Sequence, residues 1–376
     1  TNMSYMFRSS TAFNQDISDW DTSNVTNMSY MFMYDSNFDQ EIGKWNVSNV
    51  TTMSRMMFGC LNFNNGGSSS INNWNVSKVT DFASFLSGNG NKLFNQPLGN
   101  WDMSSVTQTT YMFRDCPYFN QDLSNWDMSS VIRTFSMFRI ITATDAPQFN
   151  NAGNPGINNW NTSSVTDMDR MFEGAAAFNQ DIGDWNVGNV IYMFSMFSKA
   201  SAFNQPIGNW NVSNVIDMNM IFYNAKNFNK DISSWDVSNV TTIHAMFYKA
   251  SVFNQPIGSW DVSKVNNMYR MFEGAAAFNQ DIGDWNVGNV KRTDYMFYGS
   301  SAFNQPLGKW NVSNVTDMYS MFYESSAFNQ TLEEWNVSNV KRTDYMFYGS
   351  SAFNQPIGNW DVSSATNMTS MFHNAS

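Results

Sequence analysis

Carboxylates recur in pairs along this 376-residue chain, for example Asp181 with Asp184 and Asp281 with Asp284. Two neighbouring carboxylates suffice for acid–base cleavage of a glycosidic bond. The same groups could hold Ca²⁺ weakly, without a dedicated loop. A repeating sequence makes such pairs in every copy, so they are expected to be a product of repetition, not a catalytic dyad. The two histidines, His244 and His373, lie far apart, which leaves no Ser-His-Asp or Cys-His grouping and no histidine-based metal site. Gly66-Gly67 lacks the Lys-Ser/Thr of a phosphate loop. No enzyme activity and no cofactor are therefore expected.

The tyrosines offer more. Tyr223, Tyr248, Tyr298, Tyr323 and Tyr348 fall at one position of a regular spacing, just after a Met-Phe or Ile-Phe pair. Aromatic rings in an exposed row can stack on sugars or anchor a protein partner. They can equally shield the core beside them, and the sequence leaves both readings open.

The spacing itself is set by tryptophan. All 14 stand in one series, Trp20, Trp45, Trp74, Trp101, Trp126, Trp160 and onward to Trp360, separated by 25, 29, 27, 25 and 34 residues and then by 25 throughout. A phenylalanine follows eighteen residues behind in the regular copies, from Phe178 to Phe353, and the irregular copies keep one at Phe38, Phe63, Phe94, Phe119 and Phe149. With Trp as position 1, the copy from Trp310 carries Val312, Val315, Met318, Met321, Phe322, Ser325, Phe328 and Asn329. Val315, Met318, Met321 and Phe322 fit one face of a short helix, with Ser313 or Asn314 where an N-cap belongs. Phe328 to Leu332 alternates as a strand does, and Trp335 with Val337 suggests a second extended piece.

One such unit leaves an apolar face bare, and stacking the next copy covers it. The expected fold is a right-handed repeat solenoid, like a leucine-rich repeat, with one short strand and one short helix per 25-residue coil and a parallel β ladder. About 15 coils at about 4.8 Å each would give a rod of roughly 70 Å. Asn at position 20 is expected to form a ladder between coils, its amide satisfying backbone groups. Cys60 and Cys116 share the small-residue position 16 with Ser300 and Ser350, two coils apart. That puts them about 10 Å from each other, beyond disulfide reach, so both are expected as buried free thiols.

The pattern W-x-V-S-x-V-T-x-M-x-x-M-F-x-x-[AS]-x-x-F-N-Q resembles the BspA-like branch of leucine-rich repeats, found in bacterial surface antigens and mycoplasma lipoproteins. The resemblance covers essentially the whole chain. It implies a cell-surface adhesion or recognition molecule, extracellular or surface-bound. Met, Phe and Trp replace most core leucines here, which departs from the ordinary pattern.

Residues 1–159 are irregular and residues 160–376 regular within what is expected to be a single continuous solenoid. Phe63 to Trp74 and Phe149 to Trp160 share the insertion motif F-N-N-x-G-x-x-x-I-N-N-W, and further insertions lie at Gly90 to Lys92 and Ile140 to Pro147. Inserted loops sit on an edge of a solenoid and often mark its binding side, although drift in a tolerant loop explains them too. Met171–Val190 is repeated as Met271–Val290, and Lys291–Pro306 as Lys341–Pro356. Position 22 alternates between Asp and Pro, which fits only if its N–H donates to no ladder.

Twenty basic residues against 31 acidic ones give a net charge of −11. That argues against nucleic acid and anionic lipid as partners. No apolar run of about 18 residues is present to insert into a membrane. The chain begins at Thr1-Asn2-Met3 and stops at Asn374-Ala375-Ser376, in mid-repeat at both ends, and is read as an excerpt of a longer protein. Together these features favour a non-enzymatic structural surface protein that builds a rod, fibre or coat through self-association or contact with other surface proteins. The alternative is an adhesion module binding glycan or protein through the Tyr row or the inserted loops.

Overall fold

A computed structural model describes residues 1–88, 91–141 and 148–375. The chain divides into two units, Thr1–Val190 and Ile191–Ser376. Each is a stack of coils, one per repeat, in parallel register. Single-residue parallel bridges link position 8 of successive coils: Asn2, Asn27, Thr52, Asp81, Gln108, Arg133 and Asp167 in the first unit, with Arg292, Asp317, Arg342 and Asn367 among those in the second. The repeat solenoid is thus present.

Its expected elements are not. Among the described residues there is no α-helix and no extended strand, and the helical segments are four 3₁₀ turns in the first unit. The cause lies in left-handed residues, in most coils two of them, four apart. Ser320 has φ 51° and Glu324 φ 53°. Position 11 repeats this conformation at Tyr30, Arg55, Tyr111, Met220, Ala245, Arg270 and Tyr295, though a side chain there costs about 1–2 kcal/mol. A left-handed residue turns the adjoining peptide plane, so N–H groups cannot all point along one helix axis. They alternate instead. The N–H groups of Met318, Ser320, Phe322 and Glu324 donate to Arg342, Asp344, Met346 and Tyr348 carbonyls in the next coil at 2.9, 3.0, 2.8 and 2.7 Å. Those of Met321, Tyr323 and Ser325 donate three residues back within their own coil, at 3.2, 3.2 and 3.0 Å. The apolar spacing of Val315, Met318 and Met321 reports this three-residue turn step, not the 3.6-residue helix.

The expected strand at Phe328–Leu332 is missing for a related reason. Between Phe328 and Leu332, both buried, side chains carry the inter-coil bonds. Asn304 Oδ1 accepts from Asn329 N–H and from Gln330 Nε2, each at 2.9 Å, and its carbonyl takes a further bond from Gln330 at 3.1 Å. The Asn ladder is present, lying half-buried at the rim of the core. Position 22 takes no part in it, which leaves room for proline. The expected N-cap also moves: Asn311, at position 2, accepts from the N–H and Oγ of Ser313 at 3.2 and 2.7 Å and closes a turn of its own.

Three aromatic columns fill the core of the second unit. Trp310 lies 6.5 Å from Trp335, Phe322 5.4 Å from Phe347, and Phe328 6.0 Å from Phe353, all stacked. Phe322 also stacks on Phe328 of its own coil at 4.2 Å. Each indole N–H reaches back to a backbone carbonyl, as Trp310 Nε1 does to Ile282 at 3.0 Å. Tryptophan therefore fills volume and satisfies a buried acceptor at once. In Trp260→Ala both are lost, since Trp260 is buried and bonds Ile232 at 3.2 Å. Denaturant unfolding of this variant is expected to show a loss on the order of 3–5 kcal/mol; an unchanged midpoint would refute the column.

In the first unit the two insertion motifs fold alike. Asn65–Gly67 and Ser69–Asn73 form one pair of 3₁₀ turns, Asn151–Gly153 and Pro155–Asn159 the other. Buried Asn65 accepts from Ile42 N–H at 2.9 Å and donates to Ser68 O at 2.7 Å. Asn151 does the same with Leu123 and Asn154, both at 2.7 Å. Gly67 and Gly153 end a run of three left-handed residues at φ 78° and 81°, where glycine carries the least strain. The insertions at Gly90 to Lys92 and Ile140 to Pro147 include residues 90 and 142–147, which lie outside the described residues.

Position 16 takes a small side chain, alanine in five successive coils from Ala175 to Ala275 and a small donor in others. Ser300 and Ser325 hydroxyls donate to Phe272 and Phe297 carbonyls of the preceding coil at 2.6 Å, and Cys60 Sγ to Phe32 O at 2.9 Å. Cys60 and Cys116 are both buried and unbridged. Asp35 occupies the same position, fully buried. A carboxylate has no proton for the carbonyl that register brings to it. Neither oxygen makes a full hydrogen bond, although the N–H groups of Asn37 and Phe38 lie toward the carboxyl. Burial raises its pKa from 3.8 to about 6. The fold thus holds this proton more tightly than the unfolded chain, and stability falls as pH rises through that window. Asp35→Ser is expected to raise stability by on the order of 3 kcal/mol above pH ~7, a gain that closes by about pH 3.5. Melting temperatures of the two proteins across this range measure it, and a gap independent of pH would disprove it.

Candidate functional site

The tyrosine row belongs to the second unit and is positioned by the left-handed residues on either side of it. Tyr223, Tyr298, Tyr323 and Tyr348 donate their N–H to the residue three back, at 3.0, 3.2, 3.2 and 3.1 Å. Their carbonyls accept from the preceding coil, as Tyr323 O does from Gly299 N–H at 2.7 Å. With the backbone fixed, the rings lie face to face. Tyr223 stacks on Tyr248 with centroids 4.3 Å apart and planes 6° from parallel. Tyr298, Tyr323 and Tyr348 form a second run at 4.5 and 4.7 Å, which His373 extends at 4.9 Å. Glu273 stands between the two runs. The structure thus brings the five tyrosines together as one column with one gap.

Ring faces that cover each other are closed to a sugar; edges and hydroxyls remain. All but Tyr248, which is buried, are half-buried. Burial pushes the Tyr223 hydroxyl up to about 12, reinforced by Tyr248 beside it. The Tyr298 and Tyr323 hydroxyls are also raised, first by burial and then by neighbouring acidic groups.

A second group of side chains lies along the same edge, at positions 8, 10 and 11. The Arg270 guanidinium lies 4.9 Å from the Tyr269 ring and 4.6 Å from that of Tyr295, Arg292 4.7 Å from Tyr269, and Arg342 4.4 Å from Tyr319. Arg292 also grips Asp294 with two bonds of 3.0 and 2.7 Å. Burial raises the Asp294 carboxyl despite that bond, and burial together with nearby arginines lowers the His244 imidazole. Tyr269, Arg270, Asp294, Tyr295 and Tyr319 escaped the sequence reading because they sit at positions 10 and 11, which vary, and Arg292 and Arg342 because they replace the usual Asp or Asn of position 8. The signal available was the alternation of Arg and Tyr over successive copies.

The paired carboxylates serve local structure. Asp181 and Asp281 each accept the N–H of the glycine two residues on, at 2.9 and 2.8 Å. Asp184 accepts from Asn158 at 2.7 Å, and Asp284 pairs with Lys309 at 2.7 Å. Among the described residues no three His, Cys, Asp or Glu side chains gather as a metal site. No described helix is long and apolar enough to cross a membrane. The inserted loops spend their asparagines on their own backbone and on both neighbouring coils, as Asn65 Oδ1 accepts from Ile42 N–H at 2.9 Å and Asn72 Oδ1 from Asn100 N–H at 3.0 Å.

The sequence model of the family described as Mycoplasma protein of unknown function, DUF285, matches residues 1–88, 67–152, 144–251, 205–304, 227–327 and 299–376. The chain belongs to this family. Its overlapping matches follow the coil repeat from one end to the other, as expected for a DUF285 array. No curated protein matches the chain. Among solved structures, a leucine-rich-repeat protein of Leptospira interrogans is 6% identical over 91% of this chain and 87% of its own, with a TM-score of 0.22. TLR13, solved in its complex with ssRNA13, is 11% identical over 91% of this chain and 65% of its own, with a TM-score of 0.17.

For this DUF285 protein the column predicts a test of its own. Tyr323→Ala removes a ring stacked on both sides and is expected to destabilise the second unit by about 1–2 kcal/mol, whereas Tyr323→Phe keeps the stack and stays near wild type. Denaturant unfolding of both variants decides it. Equal losses would assign the stabilisation to the hydroxyl instead.

Proposed function

We propose that the protein is a non-enzymatic structural repeat protein of the cell surface, a scaffold element of a coat or fibre that associates with copies of itself or with other surface proteins. The observation that carries this reading is the use of the recurring columns. Trp, Asn, Gln and the small position-16 donors each bond the adjacent coil, as Trp335 does to Leu307 at 2.9 Å and Gln305 to Asn279 at 3.1 and 3.0 Å. Most ring faces of the tyrosine row, the residues best suited to grasp a ligand, are taken by neighbouring rings, the outer face of Tyr223 being an exception. Residues so occupied build length and stiffness; they do not converge on a substrate.

The BspA-like resemblance supports an extracellular or surface location, and the weakly charged Asn, Ser and Thr surface suits lateral contact between copies. Light scattering on the purified chain over a hundredfold range of concentration is expected to show mass rising with concentration. A strictly monomeric chain throughout would remove the scaffold reading.

A further inference from the structure

One part of the second unit is not explained by stacking. Lys199, Lys226 and Lys249 border a single concavity of about 630 Å³, with Tyr223, Asn224 and Gly274 along its wall. The clustering runs against the chain's charge, 31 acidic residues to 20 basic. Lys199, Asn224 and Lys249 occupy position 15 of successive coils, and Lys226 lies two residues beyond Asn224. The following coils carry Gly274, Gly299, Glu324 and Gly349 at position 15, so the cluster is confined to this stretch of the array.

The three ammonium groups are not neutralised. Two lysines outside the concavity pair with carboxylates, Lys309 with Asp284 at 2.7 Å and Lys44 with Asp19 at 3.8 Å. Among the described residues none of these three forms an ion pair. Glu273, the acid that Lys249 acts on, is buried and holds Arg270 at 3.4 Å. One arginine and one carboxylate balance, and the three lysines remain in excess. Lys199 and Lys249 are two coils apart, roughly 10 Å along the stack. Gly274 keeps the wall open: a Cβ there would come within 3.0 Å of Lys249 Cγ.

The uncharged groups narrow the ligand. Tyr223 stacks on Tyr248 alone, because position 14 of the preceding coil is Ser198, so its other face has no ring partner. A free aromatic face suits the C–H side of a sugar ring, the Asn224 amide can pair with hydroxyls, and spaced ammonium groups take separated anions by charge-assisted bonds. We propose that this concavity binds an acidic oligosaccharide, one bearing sulfate or carboxylate groups on successive sugars, with Lys199, Lys226 and Lys249 as the anion contacts and Tyr223 and Asn224 meeting the sugar. The site is independent of the scaffold reading, and its test does not depend on self-association.

Calorimetric titration of the full chain with four probes tests this: a sulfated oligosaccharide, a uronate oligosaccharide, a neutral oligosaccharide of matching backbone, and inorganic sulfate. At least one acidic oligosaccharide is expected to bind at low salt, about tenfold or more tighter than the neutral one, and to weaken as salt rises. K199Q/K226Q/K249Q is expected to lower that affinity about tenfold or more, while K264Q/K291Q/K341Q, an equal charge change outside the concavity, shifts it by less than about twofold. Matching melting temperatures of the two variants show that both are folded. The proposal is overturned if neither acidic oligosaccharide binds, if the two variants lose affinity alike, or if inorganic sulfate competes as well as the oligosaccharide at equal charge.

Discussion

Every buried backbone N–H and C=O in a coil of 25 residues must find a partner, and the alternation of hydrogen bonds imposed by two left-handed residues is how this chain meets that requirement. A leucine-rich coil of the expected kind would divide the work between a strand, bonded to its neighbours, and a helix, bonded to itself. Here one stretch does both. From Met318 to Ser325 consecutive N–H groups point alternately to the next coil and back into their own. Strain at residues such as Ser320 and Glu324 is the cost of this arrangement, and it is tolerated because each left-handed residue sets up a bond to the neighbouring coil.

Composition follows from the same constraint. Where the backbone does not bond across coils, side chains must, and only compact amides and hydroxyls have both the reach and the geometry. Asn304 replaces a strand carbonyl for Asn329, and Asn339 Nδ2 reaches Ser313 O at 2.8 Å on another edge. A charged group repeated along such a column would meet its own kind about 4.8 Å above and below, and the single carboxylate at position 20, Asp39, has Asn14 and Asn64 as its neighbours. That accounts for a chain with only 14% charged residues. It accounts too for the fate of Asp35, an acid in a column built for a neutral donor.

The register of the array was legible because Trp and Phe mark it, and so were the inward columns, the Asn ladder and the unbridged cysteines, all of which depend only on which residues recur at which offset. The conformation within a coil was not. Val315, Met318, Met321 and Phe322 satisfy a helical face and a chain of three-residue turns almost equally well. Nothing in the side chains of Ser320, Arg270 or Ala245 announces a left-handed backbone, which is usually the province of glycine and asparagine. The tyrosine column was legible as a column, but not the closure of its faces, which depends on a stacking distance that spacing alone does not specify. The Arg–Tyr group and the lysine cluster were missed because each is assembled across coils, the first from positions 8, 10 and 11 and the second from positions 15 and 17.

That last point bears on where function can reside in such an array. Met171–Val190 and Met271–Val290 are identical in sequence, yet their acids have different surroundings. Glu173 meets Arg139 of the preceding coil at 2.6 Å as well as Arg170 at 3.5 Å. Glu273 has Arg270 of its own coil and lies beside a coil whose matching position is Tyr248, with Lys249 next to it. Two copies of one segment therefore carry two different electrostatic environments, because half of each environment belongs to the neighbour. Specificity in this fold is a property of pairs and triplets of coils. A duplicated segment can acquire a new site without changing itself, provided the coil before it differs at the few outward positions that the core leaves free.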